Sequence, residues 1–336
     1  MSLMNLNNRI TIKDIARETH LSVATVSRVL HHKGQHNSDT VKLVTETAQQ
    51  LGYVRNTSAA DLVNRQSHII AVIVSNTKSN FSTQIIDAIE SKATTQNLDT
   101  YILHAGNHDE ASQIRAINTV IERSVMGIIL VSLELGTKVL QILKDTSIPS
   151  ICLSTSVKDA TIPFVTSNNY QMGYDATNAM IKDGHKKIGL VGIPTNGSIN
   201  QRTHGYLQCM EDHNLTVNPE WIQYGSCTYE DGIDAWKQLS SKEITCAICA
   251  SDFTAIGFIN ACTESGLQVP NDISVMSFDG TELVEMMRPA ITSVTQSFYE
   301  MGIAGVQYLT SHGQVRSPYL PFKIIKRDST AKLKKI

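Results

Sequence analysis

Short apolar runs alternate with longer amphipathic stretches from residue 69 onward. The runs IIAVIVS (69–75) and GIILVS (127–132) are typical of buried strands, and stretches with helical spacing follow them near 82–97 and 136–145. Strands and helices in alternation predict parallel sheets joined by right-handed crossovers. A second series of the same kind begins after Ser167. Two series predict two doubly wound lobes, with a ligand bound in the cleft between them, at the carboxyl ends of the strands.

The first fifty residues predict a different structure, a bundle of three short helices. Thr11 and Asp14 form a capping-box-like start for the first helix. The second helix lies within LSVATVSRVL (21–30), and the third begins near Asn37 and ends at Gly52. Two short helices joined by a tight turn make a helix-turn-helix, which places its second helix in the major groove of DNA.

The second helix of this bundle has a small and polar outer face. Val26 and Val29 lie on its inner face, whereas Thr25, Ser27 and Arg28 lie opposite. Small side chains allow the backbone to approach the bases, hydroxyl groups hydrogen-bond to them, and an arginine reaches guanine or phosphate. The pattern by itself leaves one alternative, an ordinary helical bundle with a solvated face.

Charge and cysteine content narrow the class of protein. Residues 1–66 carry eight Lys and Arg against five Asp and Glu, whereas the whole chain has a net charge of −2, so the N-terminal part suits a polyanionic partner. No apolar run approaches the length of a membrane span, and the N-terminus has no hydrophobic secretory core. The six cysteines, including those of CAIC (246–249), mostly occupy apolar patterns and predict reduced core thiols in a cytoplasmic protein.

Two other functional classes have less support from the sequence. The chain has no nucleophile motif, no G-x-G-x-x-G and no P-loop, so we expect no enzymatic activity and no cofactor. A transport-type sugar-binding protein would share the two-lobed body. It would not account for the helix-turn-helix.

The chain resembles the lactose-repressor (LacI) family of bacterial transcription regulators over nearly its whole length. The most specific part is TIKDIARETHLSVATVSRVL (11–30), which is similar to the headpiece of that family almost residue for residue. Further similar motifs follow in the family's order: LGYVRNTSAADL (51–62), KSNF (78–81), GHKKIGLVG (184–192), RTHGY (202–206), ASDFTAIG (250–257), VPNDISVMSFDG (269–280) and RPAITSVTQ (288–296).

The resemblance implies an α/β protein with an N-terminal helix-turn-helix headpiece at 1–55, a hinge helix or linker at 56–66, and a body like periplasmic binding proteins at 67–336. The implied lobes of the body are a first lobe at about 67–167 and 298–325, and a second lobe at about 168–297 together with the tail. We therefore expect a cytoplasmic, nucleoid-associated repressor of carbohydrate genes, controlled by a sugar or sugar phosphate bound between the lobes.

The resemblance also implies the residues that contact DNA. In the headpiece they are Thr11, Val23, Ala24, Thr25, Ser27 and Arg28, of which Val23 and Ala24 choose the base sequence. NTSAADL (56–62) matches the family's hinge, where Leu62 would wedge into a minor-groove step while Asn56 and Ala59 flank that groove.

Partners follow from the same resemblance. The family binds palindromic operator DNA as a two-fold dimer. The C-terminus RDSTAKLKKI is polar and basic and has no leucine heptads, so we expect a homodimer and not a tetramer. We expect no membrane partner.

The implied effector site lies in the cleft. Its residues by resemblance are Phe81, Ser82, Asn168, Arg202, Cys227, Asp252, Asp279 and Gln296, with Asn169 beside Asn168 at the crossing between lobes. Arginine, aspartate and amide groups suit a polyhydroxylated ligand, because charged groups make strong and oriented hydrogen bonds.

The chain departs from the family at two aromatic positions. Ser82 stands where the family has the second aromatic residue of Asn-Pro-Phe-Phe, and Cys227 stands where an aromatic residue is common. Their loss suggests either a larger, more polar ligand or a degenerate pocket. In the turn, His20 replaces the usual glycine and predicts a strained left-handed residue.

GSCTYEDGIDAWKQL (225–239) and EMMRPAITSVTQSFYEMG (285–302) are especially similar to the catabolite-control branch of the family. Regulators of that branch use a serine-phosphorylated carrier protein as co-repressor, docked on the outside of the first lobe. A phosphocarrier protein is therefore the alternative partner, with Arg115 and Arg123 as candidates for its docking.

Overall fold

The structure is a computed structural model and describes residues 10–31, 34–53, 67–76, 80–159, 161–311 and 318–333. The chain divides into two compact units, with the division between Gln66 and Ser67. The whole of the expected hinge at 56–66, including Asn56, Ala59 and Leu62, lies outside the described residues.

The N-terminal unit contains three helices: α1 (Ile12–Thr19), α2 (Val23–Leu30) and α3 (Ser38–Gln50). Their buried faces meet in a small apolar core that includes Ile15, Val26, Val29 and Val44. The turn between α1 and α2 contains His20 with a φ of 55°, in the left-handed region that was expected for this position.

The second unit is built from two α/β lobes. The first lobe begins with these elements: β1 (Ile69–Ser75), α4 (Phe81–Thr95), β2 (Asp99–Ala105), α5 (Glu110–Glu122), β3 (Gly127–Val131), α6 (Thr137–Asp145), β4 (Ser150–Leu153) and β5 (Phe164–Ser167). The chain returns to this lobe at α12 (Phe298–Thr310) and β11 (Tyr319–Leu320). Its sheet is parallel throughout, in the order β11-β5-β4-β3-β1-β2.

The second lobe repeats this plan. It contains α7 (Asn169–Lys182), β6 (Ile188–Ile193), α8 (Gln201–Asp212), β7 (Ile222–Tyr224), α9 (Tyr229–Leu239), β8 (Cys246–Cys249), α10 (Asp252–Glu264), β9 (Ser274–Asp279), α11 (Leu283–Met286), β10 (Thr292–Gln296) and β12 (Phe322–Ile325). The strand order is β12-β10-β9-β8-β6-β7, parallel except that the edge strand β12 runs antiparallel to β10.

The chain crosses between the lobes three times. The first crossing follows Ser167 and the second follows Gln296, as the sequence predicts. The third lies between Leu320 and Phe322, and not after residue 325, because β12 pairs with β10 of the second lobe. Pro321 separates the two strands, and its carbonyl oxygen accepts a hydrogen bond of 2.7 Å from Ser297 Oγ at the neighbouring crossing.

Buried strands form the centre of both lobes. Every residue of β3, β6, β8 and β9 is buried. Cys246 and Cys249 of the CAIC run are fully buried free thiols in β8, which confirms their assignment to the core. Among the described residues, no helix is long and apolar enough to cross a membrane.

Two glycines allow helices α7 and α8 to pack closely. A Cβ atom on Gly205 would lie 2.0 Å from the backbone oxygen of Tyr170, and one on Gly173 would lie 2.1 Å from the backbone oxygen of Arg202. Only glycine permits this approach. The close packing fixes the first turn of α8, on which Arg202 lies.

Candidate functional site

A cavity of about 470 Å³ lies between the two lobes. Its lining residues follow the carboxyl ends of strands in both sheets, as expected for ligand sites in open α/β folds. The first lobe contributes residues after β1, β2, β3 and β4, and the second lobe contributes residues after β6, β7, β8 and β9 and at the end of β10.

Six of the eight effector residues inferred from sequence line this cavity. They are Phe81, Arg202, Cys227, Asp252, Asp279 and Gln296. They come from positions spread over the chain from residue 81 to residue 296, and the fold brings them to one cleft. Of these six residues, Phe81 belongs to the first lobe and the other five belong to the second lobe.

The other two candidates, Ser82 and Asn168, do not line the cavity. Ser82 is the second residue of α4, where the helical rotation turns it away from its neighbour Phe81. Asn168 is the N-cap of α7, and its side chain accepts a hydrogen bond of 3.1 Å from the backbone N–H of Gln171. The next residue, Asn169, lines the cavity instead.

Arg202 is the central cation of the cavity and is only 4 % exposed. Its Nε donates to Asn169 Oδ1 at 2.8 Å and its Nη1 donates to the backbone oxygen of Ala250 at 2.9 Å. The guanidinium carbon lies 4.4 Å from the centre of the Phe278 ring, in a cation–π contact. These partners all belong to the second lobe, so the arginine is held in a fixed orientation before any ligand enters.

Asp279 faces the remaining nitrogen of that guanidinium. Its Oδ1 lies 3.9 Å from Arg202 Nη2 and accepts a hydrogen bond of 2.9 Å from Gln296 Nε2. Burial raises the pKa of Asp279 to about 7, because it outweighs the opposing effect of Arg202. The residue has a φ of 94°, which is rare for any residue except glycine, and strained residues of this kind cluster at active sites and ligand clamps.

Asp252 connects two elements of the second lobe through its carboxylate. Its carboxylate accepts hydrogen bonds from Ser277 Oγ at 2.6 Å and from the backbone N–H of Thr281 at 2.7 Å. Burial raises the pKa of this carboxyl group, while these hydrogen bonds lower it. Both carboxylate oxygens therefore already have donors, and Asp252 joins the start of α10 to the end of β9.

The apolar part of the cavity includes Phe81 and Cys227. Phe81 stacks on Phe298 with ring centres 4.6 Å apart, so the return crossing at α12 holds the ring in place. Cys227 has a φ of 62°, and its carbonyl oxygen accepts a hydrogen bond of 2.7 Å from Ser251 Oγ. Burial raises the pKa of its thiol to about 12, so the group is a neutral lining residue at physiological pH.

Glu134, which lies after β3 in the first lobe, also lines the cavity and was not predicted from the sequence. Glu134 Oε1 accepts hydrogen bonds from Ser198 N at 2.9 Å and from Ser198 Oγ at 3.2 Å, and Ser198 belongs to the second lobe. Its backbone is held in turn, because Asn107 Oδ1 accepts from its N–H at 2.9 Å. Its position directly beyond a predicted strand was the one signal that could have indicated it.

The helix-turn-helix presents most of its predicted contact residues to solvent. Val23 is 46 % exposed, Ala24 and Arg28 are exposed, and Thr25 and Ser27 are half-buried. Ser22 caps α2 by accepting a hydrogen bond of 3.1 Å from the backbone N–H of Thr25.

The inner residues of α2 face the headpiece core, which leaves the outer face free for a partner. Val26 and Val29 are buried in that core. At the start of α1, Thr11 is exposed, and its backbone N–H and its hydroxyl both donate to Asp14 Oδ2, at 2.9 and 2.7 Å. The N-terminal ends of α1 and α2 therefore begin at well-defined caps.

Two family models match the chain and together cover most of it. Residues 11–56 match the model of bacterial regulatory proteins of the lacI family, and residues 67–311 match the model of periplasmic binding proteins and the sugar-binding domain of the LacI family. The chain is 31 % identical to catabolite control protein A of Priestia megaterium over 330 residues, covering 96 % of this chain and 99 % of that protein.

Solved structures agree with this assignment. The crystal structure of the LacI-family regulator CCPA from Weissella paramesenteroides with bound glucose has 29 % identity and a TM-score of 0.71, covering 79 % of this chain and 99 % of that one. The lac repressor dimer bound to operator and an anti-inducer has 24 % identity and a TM-score of 0.85, covering 96 % of this chain and 100 % of that one, and shows the shared fold. This chain belongs to the LacI family and is a DNA-binding transcription regulator.

Proposed function

We propose that the protein is a homodimeric repressor of carbohydrate genes that binds palindromic operator DNA and is controlled by a sugar in the interlobe cavity. The observation that carries the proposal is the fixed pair of Arg202 and Asp279 in a cavity bordered by both lobes. A guanidinium beside a carboxylate offers donors and an acceptor to neighbouring hydroxyl groups of a sugar. The related Weissella regulator with bound glucose supports the same ligand class.

Control of DNA binding would depend on the relative position of the lobes. The cavity has residues from both lobes, and Glu134 already joins them through Ser198. A ligand that contacts both walls binds one arrangement of the lobes better than the other and shifts the equilibrium between them. That shift would in turn change the affinity of the headpiece for operator DNA, through the hinge.

A homodimer is supported by the open edge of the first lobe. Strand β2 ends the sheet of that lobe, and its residues Tyr101, Ile102 and Leu103 are only partly buried in the single chain. An uncovered edge with apolar side chains favours association with another copy. Light scattering on the full chain should give twice the mass of 37.0 kDa.

The deciding experiment combines operator selection with one cavity variant. Random DNA enriched on the purified protein should yield a palindrome, and a sugar from a panel should change its affinity. Arg202→Ala should remove that response and keep operator binding, whereas the exposed Arg288→Ala should behave as the parent protein. A response that persists in Arg202→Ala would overturn the cavity as the control site.

A phosphorylated carrier protein is the second candidate for the controlling partner. Arg115 and Arg123 are both exposed, eight residues apart on α5 and at its C-cap, which places them near one face of the helix. Arg123 is held over the Tyr101 ring at 4.7 Å. A serine-phosphorylated carrier should bind the parent protein and lose affinity in Arg115→Ala; equal binding of the unphosphorylated carrier would argue against this partner.

A further inference from the structure

A second cavity of about 310 Å³, more open to solvent than the first, adjoins the interlobe cavity. Three residues, His108, Glu134 and Asn196, line both cavities. Glu110 and Leu135 of the first lobe line the outer one alone. The outer cavity, which we call the mouth subsite, is therefore continuous with the inner site and has walls from both lobes.

The two cavities together are too large for a single sugar unit. A hexose packed at the density of protein interiors fills about 200 Å³, whereas the inner cavity alone has a volume of about 470 Å³. Cys227 contributes to this space, since a small thiol lines the wall there. A ligand that fills both cavities would pass the three residues that line both of them, His108, Glu134 and Asn196.

The charges of the lining residues disfavour a phosphate. The carboxylates of Glu110, Glu134, Asp252 and Asp279 line the two cavities, whereas Arg202 is the one Arg or Lys that does so among the described residues. The Nε and Nη1 atoms of that guanidinium already donate within the lobe, so Nη2, which lies 3.9 Å from Asp279 Oδ1, is the nitrogen that remains for a ligand. These acidic groups outnumber the single cation, so the binding of an anionic ligand is disfavoured relative to a neutral one.

The same groups suit hydroxyl groups well. Carboxylates accept hydrogen bonds from sugar hydroxyls, and the amide of Asn196 both donates and accepts. We propose that the effector is an uncharged oligosaccharide of at least two units, with one unit beside Arg202 and Asp279 and the next unit in the mouth subsite. This inference rests on the proposed sugar control and specifies the size and charge of the sugar.

Calorimetric titration of the full-length protein tests both parts of the inference. The probes are glucose, the disaccharides maltose, cellobiose, sucrose, lactose and trehalose, and glucose 6-phosphate. At least one disaccharide should bind about tenfold more tightly than glucose, the gain that one or two net hydrogen bonds provide. Glucose 6-phosphate should bind more weakly than glucose.

Two pairs of variants test which residues cause the preference for a disaccharide and the weaker binding of glucose 6-phosphate. Asn196→Ala should lower the ratio of disaccharide affinity to glucose affinity, whereas Asn271→Ala, in an exposed loop of the second lobe, should leave that ratio unchanged. Glu134→Gln keeps an acceptor for Ser198 and removes one charge, so it should reduce the discrimination against glucose 6-phosphate. Glu122→Gln, exposed at the end of α5, is its matched control.

Each outcome has a distinct meaning. Glucose binding as tightly as every disaccharide would overturn the mouth subsite and leave sugar control intact. Preferential binding of glucose 6-phosphate would overturn the exclusion of charged ligands. Failure of every sugar to bind the folded protein would overturn the proposed sugar control and, with it, this inference.

Discussion

Glu134 of the first lobe accepts two hydrogen bonds from Ser198 of the second, one from its backbone N–H and one from its hydroxyl. Gly197 lies beside this contact and has a φ of 77°. A Cβ atom on Gly197 would lie 2.6 Å from Glu134 Oε1, so a larger residue there would clash with the carboxylate. The arrangement of the lobes in this structure therefore depends in part on one carboxylate and on the absence of a side chain opposite it.

Replacing Glu134 by alanine should loosen this contact. The N–H of Ser198 loses its acceptor, so its amide hydrogen should exchange faster with solvent. Hydrogen-exchange mass spectrometry of a peptide that spans residues 196–200 would measure the change, with Glu122→Ala as the control. Unchanged exchange in Glu134→Ala would mean that other contacts hold the two lobes in this arrangement.

Asp279 should make stability depend on pH. Burial raises its pKa to about 7, whereas the unfolded chain titrates near the ordinary value of 3.8. Between these values the native state holds a proton that the unfolded state releases, so the free energy of unfolding should fall as pH rises from about 4 to about 7. Above that window this contribution stays constant.

Asp279→Asn should remove that part of the pH dependence, by an amount on the order of a few kcal/mol across the window. The asparagine oxygen still accepts from Gln296, so the hydrogen bond is kept. Urea denaturation at about pH 5, 6, 7 and 8 measures the change. The exposed Asp234→Asn is the control, and equal pH dependence in parent and variant would contradict the assignment.

Arg28→Ala should weaken the binding of both specific and non-specific DNA. Arg28 is exposed on α2, and a lost phosphate contact should make the slope of log K against log salt less negative by about 1. Fluorescence anisotropy at several salt concentrations measures this slope. Lys237→Ala is a suitable control, because Lys237 is exposed in the second lobe and pairs with Asp234 at 2.7 Å. An unaltered slope would exclude a phosphate contact by Arg28.

Gly205→Ala should destabilise the second lobe by about 1–3 kcal/mol, because overpacking forces α7 and α8 apart. The added methyl group would meet the backbone of Tyr170, which cannot move by itself. Gly305→Ala is the matched control, since its nearest neighbour is the side-chain end of Leu153 at 2.9 Å. Thermal unfolding should show a large loss for the first variant and a small change for the second; similar losses would contradict the packing argument.

Periodicity in the sequence predicts most of the body of the fold. The run at 69–75 coincides with β1, and the buried run at 246–249 coincides with β8, because long-range packing and local pattern agree there. The strands at 164–167, 222–224, 292–296, 319–320 and 322–325 were not predicted. Two to five residues contain too little alternation to distinguish a strand from a loop, and YLPFKII gives no sign that its two halves join different sheets.

The site was predicted less completely than the fold. Motif resemblance located Arg202 and Asp279, whose types and spacing are distinctive. It chose Asn168 in place of Asn169, because one residue decides whether an amide caps a helix or faces the cleft. Glu134 has no motif around it, and its role arises from the approach of the other lobe, which local sequence does not encode.

Neither lobe is formed from one continuous stretch of the chain. Helix α12 packs against α4, where a Cβ atom on Gly302 would lie 2.4 Å from the backbone oxygen of Ile85, although the second lobe up to Gln296 lies between them in the chain. A growing polypeptide leaves the ribosome N-terminus first. The apolar face of α4 that contains Ile85 and Ile89 therefore has no α12 to pack against while the second lobe is being translated. A prematurely terminated chain would expose that face to chaperones and proteases.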